Sequence, residues 1–313
     1  MSRLGSPVRL ASPFTFGHHQ RPVFKILPPM SRPVSVARAK PDTQPPWWVR
    51  RHCPALFFVS CVGLFFVAHL DKVPVSGRWR FNCTTLKEER DMAAEDFNHF
   101  RFEYGNRCFL PEEDPRVQQV KRVGERILRV SGLRDQGRWE FFVIDSTKMD
   151  MNAVTIPGKV FVSASLLVLA PNDDCLAAVL SHEVAHGLAR HAAEYMSVAR
   201  PVAIIIRLIA HTISRDLGRD LGRIFKNYYE TPFLKRTESE ADYIGLMLMA
   251  QACYNPVEAL TMHRLMVNGA KTADTSPRDF GGDSHPSNET RIEQFKQWMP
   301  EALKKRAVCC LPK

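Results

Sequence analysis

A chain of 313 residues, 45% of them hydrophobic, is long enough for one sizeable catalytic domain plus an extension. Its formal charge of +10 is unevenly spread: residues 1–52 hold nine Lys or Arg against one acid, Asp42, and the remainder holds 34 basic against 32 acidic side chains. A basic nucleic-acid-binding domain is therefore excluded, and the excess charge belongs to a leader.

Residues 1–46 lack acids up to Asp42 and are rich in Arg, Ser and Pro, the composition of a mitochondrial transit leader with nothing to pack into a core. The apolar run Pro54 to Leu70 comes next, with Trp47 and Trp48 placed for a headgroup zone. It predicts one transmembrane helix near the short limit for a span. The positive charges on its two sides nearly balance and do not fix a topology. The catalytic domain is expected over 72–313.

Leu86 to Tyr104 reads as a charged helix. Val117, Val120, Ile127 and Leu128 mark an amphipathic helix that stops at Ser131-Gly132. Trp139 to Ile144 and Lys159 to Ser163 read as strands, and helices dominate the rest of the chain. Two helices, a small sheet and more helices predict an α+β fold, mostly helical, with a site between the sheet edge and a central helix.

That central helix begins at Asn172-Asp173-Asp174 and carries Ser181-His182-Glu183-Val184-Ala185-His186. In H-E-x-x-H the two histidines lie one turn apart on one helical face. His182 and His186 are thus expected to bind one Zn²⁺, with Glu183 taking the proton of the attacking water. His191, five residues after His186, is turned away on a continuous helix and reads as surface or second-face, not a ligand. Pro201 to Ile213 reads as a helix packed on the body, with membrane contact as the alternative. The repeat Arg215 to Arg223 reads as a solvated helix face.

A catalytic zinc needs a third protein ligand. Glu238 and Asp242 share a helix face, which makes Glu238 the expected ligand and Asp242 the acid that holds a ligand histidine through its other ring nitrogen. Glu240 lies about 200° from Glu238 around the axis. It reads as a lone carboxylate whose loss should matter little. Thr272 to Ser287 is a Gly/Pro-rich loop that delivers His285. The eight cysteines contain no C-x-x-C pair and suggest no metal cluster.

H-E-x-x-H with a later E-x-x-x-D resembles the gluzincin peptidases related to the CAAX prenyl endopeptidase and the HtpX heat-shock peptidase. Three further stretches carry the likeness. Asn152-Ala153 through Val160 resembles the family's substrate edge strand, Ser284-His285-Pro286 with Arg291 its late histidine element, and the closing Cys309-Cys310-Leu311-Pro312 the tail of its mitochondrial inner-membrane branch. The resemblance implies a zincin-like fold with one zinc per chain. It makes His285 an oxyanion stabiliser and Arg291 the residue that fixes its loop. An extended substrate would pair with the strand at Asn152, Ala153 and Val160. The resemblance also implies a protease in the inner membrane facing the intermembrane space. Its substrates would be anchored in that lipid bilayer, among them a dynamin-like fusion GTPase cut under stress, and it allows a homo-oligomer. Two rivals stay open: a secretory-pathway prenyl-protein peptidase, whose relatives carry many spans, and a non-catalytic membrane scaffold, against which the intact Glu183 argues.

Overall fold

The computed structural model describes residues 47–105, 108–134, 137, 139–145, 152–272 and 288–310. The leader 1–46, His285 and the Leu311-Pro312 end of the tail lie outside them. The chain divides at Pro54. Of the first unit the described residues 47–54 are helical, and the packed body belongs to Ala55–Lys313.

Helix α1, Trp47–Ala68, turns at His69 into a hairpin of β1, Leu70–Lys72, and β2, Trp79–Phe81. The apolar run expected to span over 54–70 is helical only to Ala68, because Leu70 already belongs to β1. Among the described residues no helix is long and apolar enough to cross a membrane. Leu56, Phe57, Phe58, Leu64 and Val67 are exposed, and among the described side chains of α1 only the last turn packs, with Phe66 stacked on Phe81 at 4.9 Å.

Helix α2, Leu86–Tyr104, starts on a capping box in which Thr85 and Glu88 satisfy each other's main-chain amides. Helix α3, Pro115–Ser131, has Asp114 as its N-cap and ends where Gly132 takes φ 75°. The sheet comprises β3, Glu140–Ile144, β4, Ala153–Ile156, and β5, Lys159–Ser163, in the order β3-β5-β4. β3 runs parallel to β5, and β4 runs antiparallel to it through a tight turn at Pro157-Gly158, where Gly158 takes φ 81°. Proline then glycine at these two positions is the chemistry of a type II turn. The outer side of β3 is partly covered, since Leu110 N–H donates to Val143 O and Asp145 N–H to Cys108 O. β4 is the open edge. Val160, expected on the substrate edge, is instead on the central strand between Phe141 and Thr155, so its main chain is enclosed from both sides.

One sheet face meets α2 through a cluster of Phe97, Phe100, Phe109, Phe142 and Phe161, the last two stacked at 5.2 Å. The other face, with Phe141, Val143, Val160 and Val162, joins the main core. That core is completed by helices from the rest of the chain. They are α4, Ala164–Leu169; α5, Asp173–Leu188; α6, His191–Thr212; α7, Arg215–Phe225; α8, Thr231–Gln251; α9, Val257–Thr272; and α10, Asn288–Cys310. A π-helical turn, Lys226–Glu230, joins α7 to α8. A disulfide between Cys253 and Cys310 fastens the end of α10 to the turn after α8. The segment Pro201 to Ile213 packs one side against α7, where Ala210 meets Gly218, and leaves Ile204, Ile205 and Leu208 on its other side exposed. The arginines of the repeat after it are solvated, and Arg219 and Arg223 pair locally with Asp216 and Asp220.

Candidate metal centre and peptide cleft

Helix α5 is capped by Asn172, whose side chain accepts the Cys175 amide at 2.8 Å. Leu176, Leu180 and Val184 bury one stripe of it, which fixes its rotation. The rotation turns His182 and His186 toward α8. Gly245 permits the close approach of α8: a Cβ there would stand 2.9 Å from the His182 nitrogen and 3.0 Å from its Cα. The contact is with main chain, which cannot swing aside.

The two helices bring three donors together. His182 Nε2 and His186 Nε2 are 3.2 Å apart, and each lies 3.4 Å from a carboxylate oxygen of Glu238. Four ligands placed tetrahedrally at the usual zinc bond lengths sit about 3.3–3.4 Å from one another. The spacing and the two-nitrogen, one-carboxylate donor set therefore fit a catalytic zinc, and three ligands leave one position open. Glu183, buried, lines the same cleft of about 340 Å³. So do Arg291, Asn152 and β4 residues 153–155.

Each histidine is held from behind. Asp242 Oδ1 lies 3.0 Å from His182 Nδ1, and Arg291 donates to both Asp242 oxygens at 2.7 Å. Burial alone would raise the Asp242 carboxyl, but Arg291 and His182 hold it well below the usual carboxylate range. Burial likewise opposes charge on His182, yet Asp242 and Glu238 outweigh it and draw its pKa up to about 10. The field that favours a proton there also favours a divalent cation in its place. Arg291 thus stands on the first turn of α10 and anchors Asp242; the loop it was also expected to fix lies outside the described residues.

Behind His186 two sequence expectations fail together. α5 does not continue through His191. It stops at Leu188, and Arg190 adopts a left-handed φ of 49° before α6 begins at His191. That conformation is disfavoured for a side chain other than glycine. Arg190 is held in it by Glu89 at 2.7 Å and the Thr84 carbonyl at 2.8 Å. The break folds His191 back, so it is buried and its Nδ1 meets His186 Nδ1 at 2.9 Å. Glu240 is no lone carboxylate either. It lies 3.1 Å from His191 Nε2 and accepts from Arg78 Nε at 2.9 Å and Nη2 at 2.7 Å, and from Ser76. Arg78 also donates to Glu194 at 2.7 and 2.6 Å. Burial would raise the Glu240 carboxyl, but hydrogen bonds from His191, Arg78 and Ser76 hold it down at about 2. Burial is the main force lowering His191 to about 4, so the ring is neutral near pH 7.

The register of β4 decides which of its groups face the cleft. A two-residue turn makes Ile156 and Lys159 a hydrogen-bonded pair, so Ala153 and Thr155 alternate to the outer side. Their main-chain groups are the ones an extended peptide would meet. Asn152 is tied inward, its N–H donating to Ser163 Oγ at 3.0 Å and its carbonyl accepting from Ser163 N–H at 3.0 Å.

The model of peptidase family M48 matches residues 114–299. The mitochondrial metalloendopeptidase OMA1 of Schizosaccharomyces pombe is 40% identical over 251 residues, 78% of this chain and 71% of that protein. The Saccharomyces cerevisiae protein of the same name is 32% identical over 264 residues, 79% of this chain and 74% of that one. The human metalloendopeptidase OMA1, mitochondrial, is 26% identical over 284 residues, 84% of this chain but 53% of its own length.

Proposed function

We propose, from the premise that the chain belongs to peptidase family M48 and is a metallopeptidase, that it is a zinc-dependent endopeptidase that cuts extended segments of membrane-anchored proteins at the mitochondrial inner membrane. The observation that carries this reading is the convergence, in one cleft, of His182, His186 and Glu238 with Glu183 and the open edge of β4. His182, His186 and Glu238 would hold the metal. When bound, zinc supplies Lewis-acid polarisation of the scissile carbonyl and of the attacking water.

The remaining chemistry belongs to the chain. An extended substrate adds to β4 as a further strand, bonded through its main chain at Ala153 and Thr155, so side-chain sequence is only loosely selected. Glu183, buried beside the ligands, accepts the proton of the attacking water and returns it to the leaving amine. Asp242 and Arg291 keep His182 oriented. His285 remains the proposed oxyanion donor.

Location rests on two supports. The similar OMA1 proteins are mitochondrial by name, and the leader has transit composition. The exposed apolar side chains of α1 support contact with lipid, which would bring the cleft near substrates in the same bilayer, a dynamin-like fusion GTPase among them. The test is Glu183→Gln on the purified chain. Zinc content should stay at one per chain while peptide hydrolysis falls by roughly several orders of magnitude. Hydrolysis at the unsubstituted rate would sink the mechanism.

A further inference from the structure

We propose that His191 and Glu240 are positioning residues of the metal centre, acting in series: Glu240 fixes the proton of His191, and His191 fixes that of His186. This inference rests on the zinc reading of the site and extends it to residues that touch neither metal nor substrate.

The geometry leaves one consistent placement of protons. His186 Nε2 faces His182 and Glu238, so a metal-binding His186 keeps that nitrogen bare and carries its proton on Nδ1. His186 Nδ1–H then donates to His191 Nδ1 at 2.9 Å, which must be the bare nitrogen of His191. The remaining His191 proton sits on Nε2 and donates to Glu240 at 3.1 Å. Glu240 accepts only, and Arg78 and Ser76 on the β1–β2 hairpin keep it charged and in place. Reversing any link would set two N–H groups or two lone pairs against each other inside a buried cluster. The two zinc histidines are therefore oriented differently. His182 meets its carboxylate directly, and His186 meets its own through a second imidazole.

A packing role and a relay predict different results. Glu240→Gln places an amide beside His191 Nε2. If its NH₂ turns to that nitrogen, His191 takes its proton on Nδ1 and confronts His186 with an N–H. His191→Phe removes the intermediary while keeping an aromatic ring. Zinc dissociation constants are measured by chelator competition on the full chain, with circular dichroism and melting temperature as the check of folding. Each single substitution should weaken zinc about 10–100-fold. The double variant should be no weaker than the single ones, because Glu240 acts only through His191. His191→Gln, whose amide oxygen and nitrogen can replace one acceptor and one donor, should recover most of the affinity, and it keeps the question open to measurement if His191→Phe misfolds. Glu240→Gln that binds zinc like the unsubstituted chain, or a double variant that shows the product of the two single effects, would overturn the relay. If the unsubstituted chain binds no zinc, the proposed function falls and the relay with it; zinc bound normally by the chain and by Glu240→Gln removes the relay alone.

Discussion

Cys175 sits in the first turn of α5, where free main-chain amides ordinarily favour a thiolate. Here burial and the neighbouring Glu258, 3.4 Å from the sulfur, push the thiol the other way, up to about 12. An acid whose folded pKa lies above its unfolded value keeps its proton better in the folded state. Its contribution is present below the unfolded pKa of about 9 and is lost as pH rises from there toward about 12. Urea midpoints of the chain should therefore fall from pH 8 to pH 10.5 more steeply than those of Cys175→Ala, and iodoacetamide at pH 9 should spare Cys175 in the native chain. Parallel pH slopes would contradict this. At this scale the sequence exposes the candidate ligands more readily than their supports. His182, Glu183, His186, Glu238 and Asp242 are visible because helical spacing alone places them. His191 and Glu240 are misread by the same spacing, because it assumes one continuous helix and cannot register the left-handed turn at Arg190, held by a residue 101 positions earlier.

At the scale of elements the site is a crossing of two helices. α5 and α8 meet where Gly245 lies against the main chain of Ser181 and His182. Gly245→Ala should force the helices apart at the point where Glu238 and Asp242 reach across. Overpacking of this kind costs about 1–3 kcal/mol, and the widened gap should lower zinc affinity at least about tenfold, as other losses of ligand orientation do. Melting temperature and zinc titration on the same sample check both parts; an alanine variant with unchanged zinc affinity would show that the crossing tolerates the extra carbon. Element starts are legible wherever a cap is local, as at Thr85, Asp114 and Asn172. Which strand becomes the edge is not. β4 and β5 have similar composition, and only the parallel pairing of β3 with β5 leaves Val160 in the middle and Ala153 at the rim. The outward apolar face of α6 is similarly invisible, because an aliphatic run does not say whether core or surface receives it.

For the molecule as a whole, the order of elements already implies α+β and a helical H-E-x-x-H site. What that order omits is how distant segments are fastened. Arg78, on the hairpin after α1, reaches Glu240 across 162 positions, and Arg80 on the same hairpin donates to the Ala189 carbonyl at the end of α5. No periodicity announces such pairings. The Cys253–Cys310 bridge is of the same kind, and neighbouring Cys309 remains an exposed thiol beside it.

That bridge turns the stretch from Tyr254 to Cys309 into a covalent ring. A single backbone cut anywhere in the ring makes two fragments that cannot leave each other. The fragment carrying Arg291 stays tethered beside Asp242, at an effective concentration far above that of a free peptide. A chain nicked once there by a soluble protease should run as one band without reductant and as two with it. It should also keep its zinc until the reductant is added.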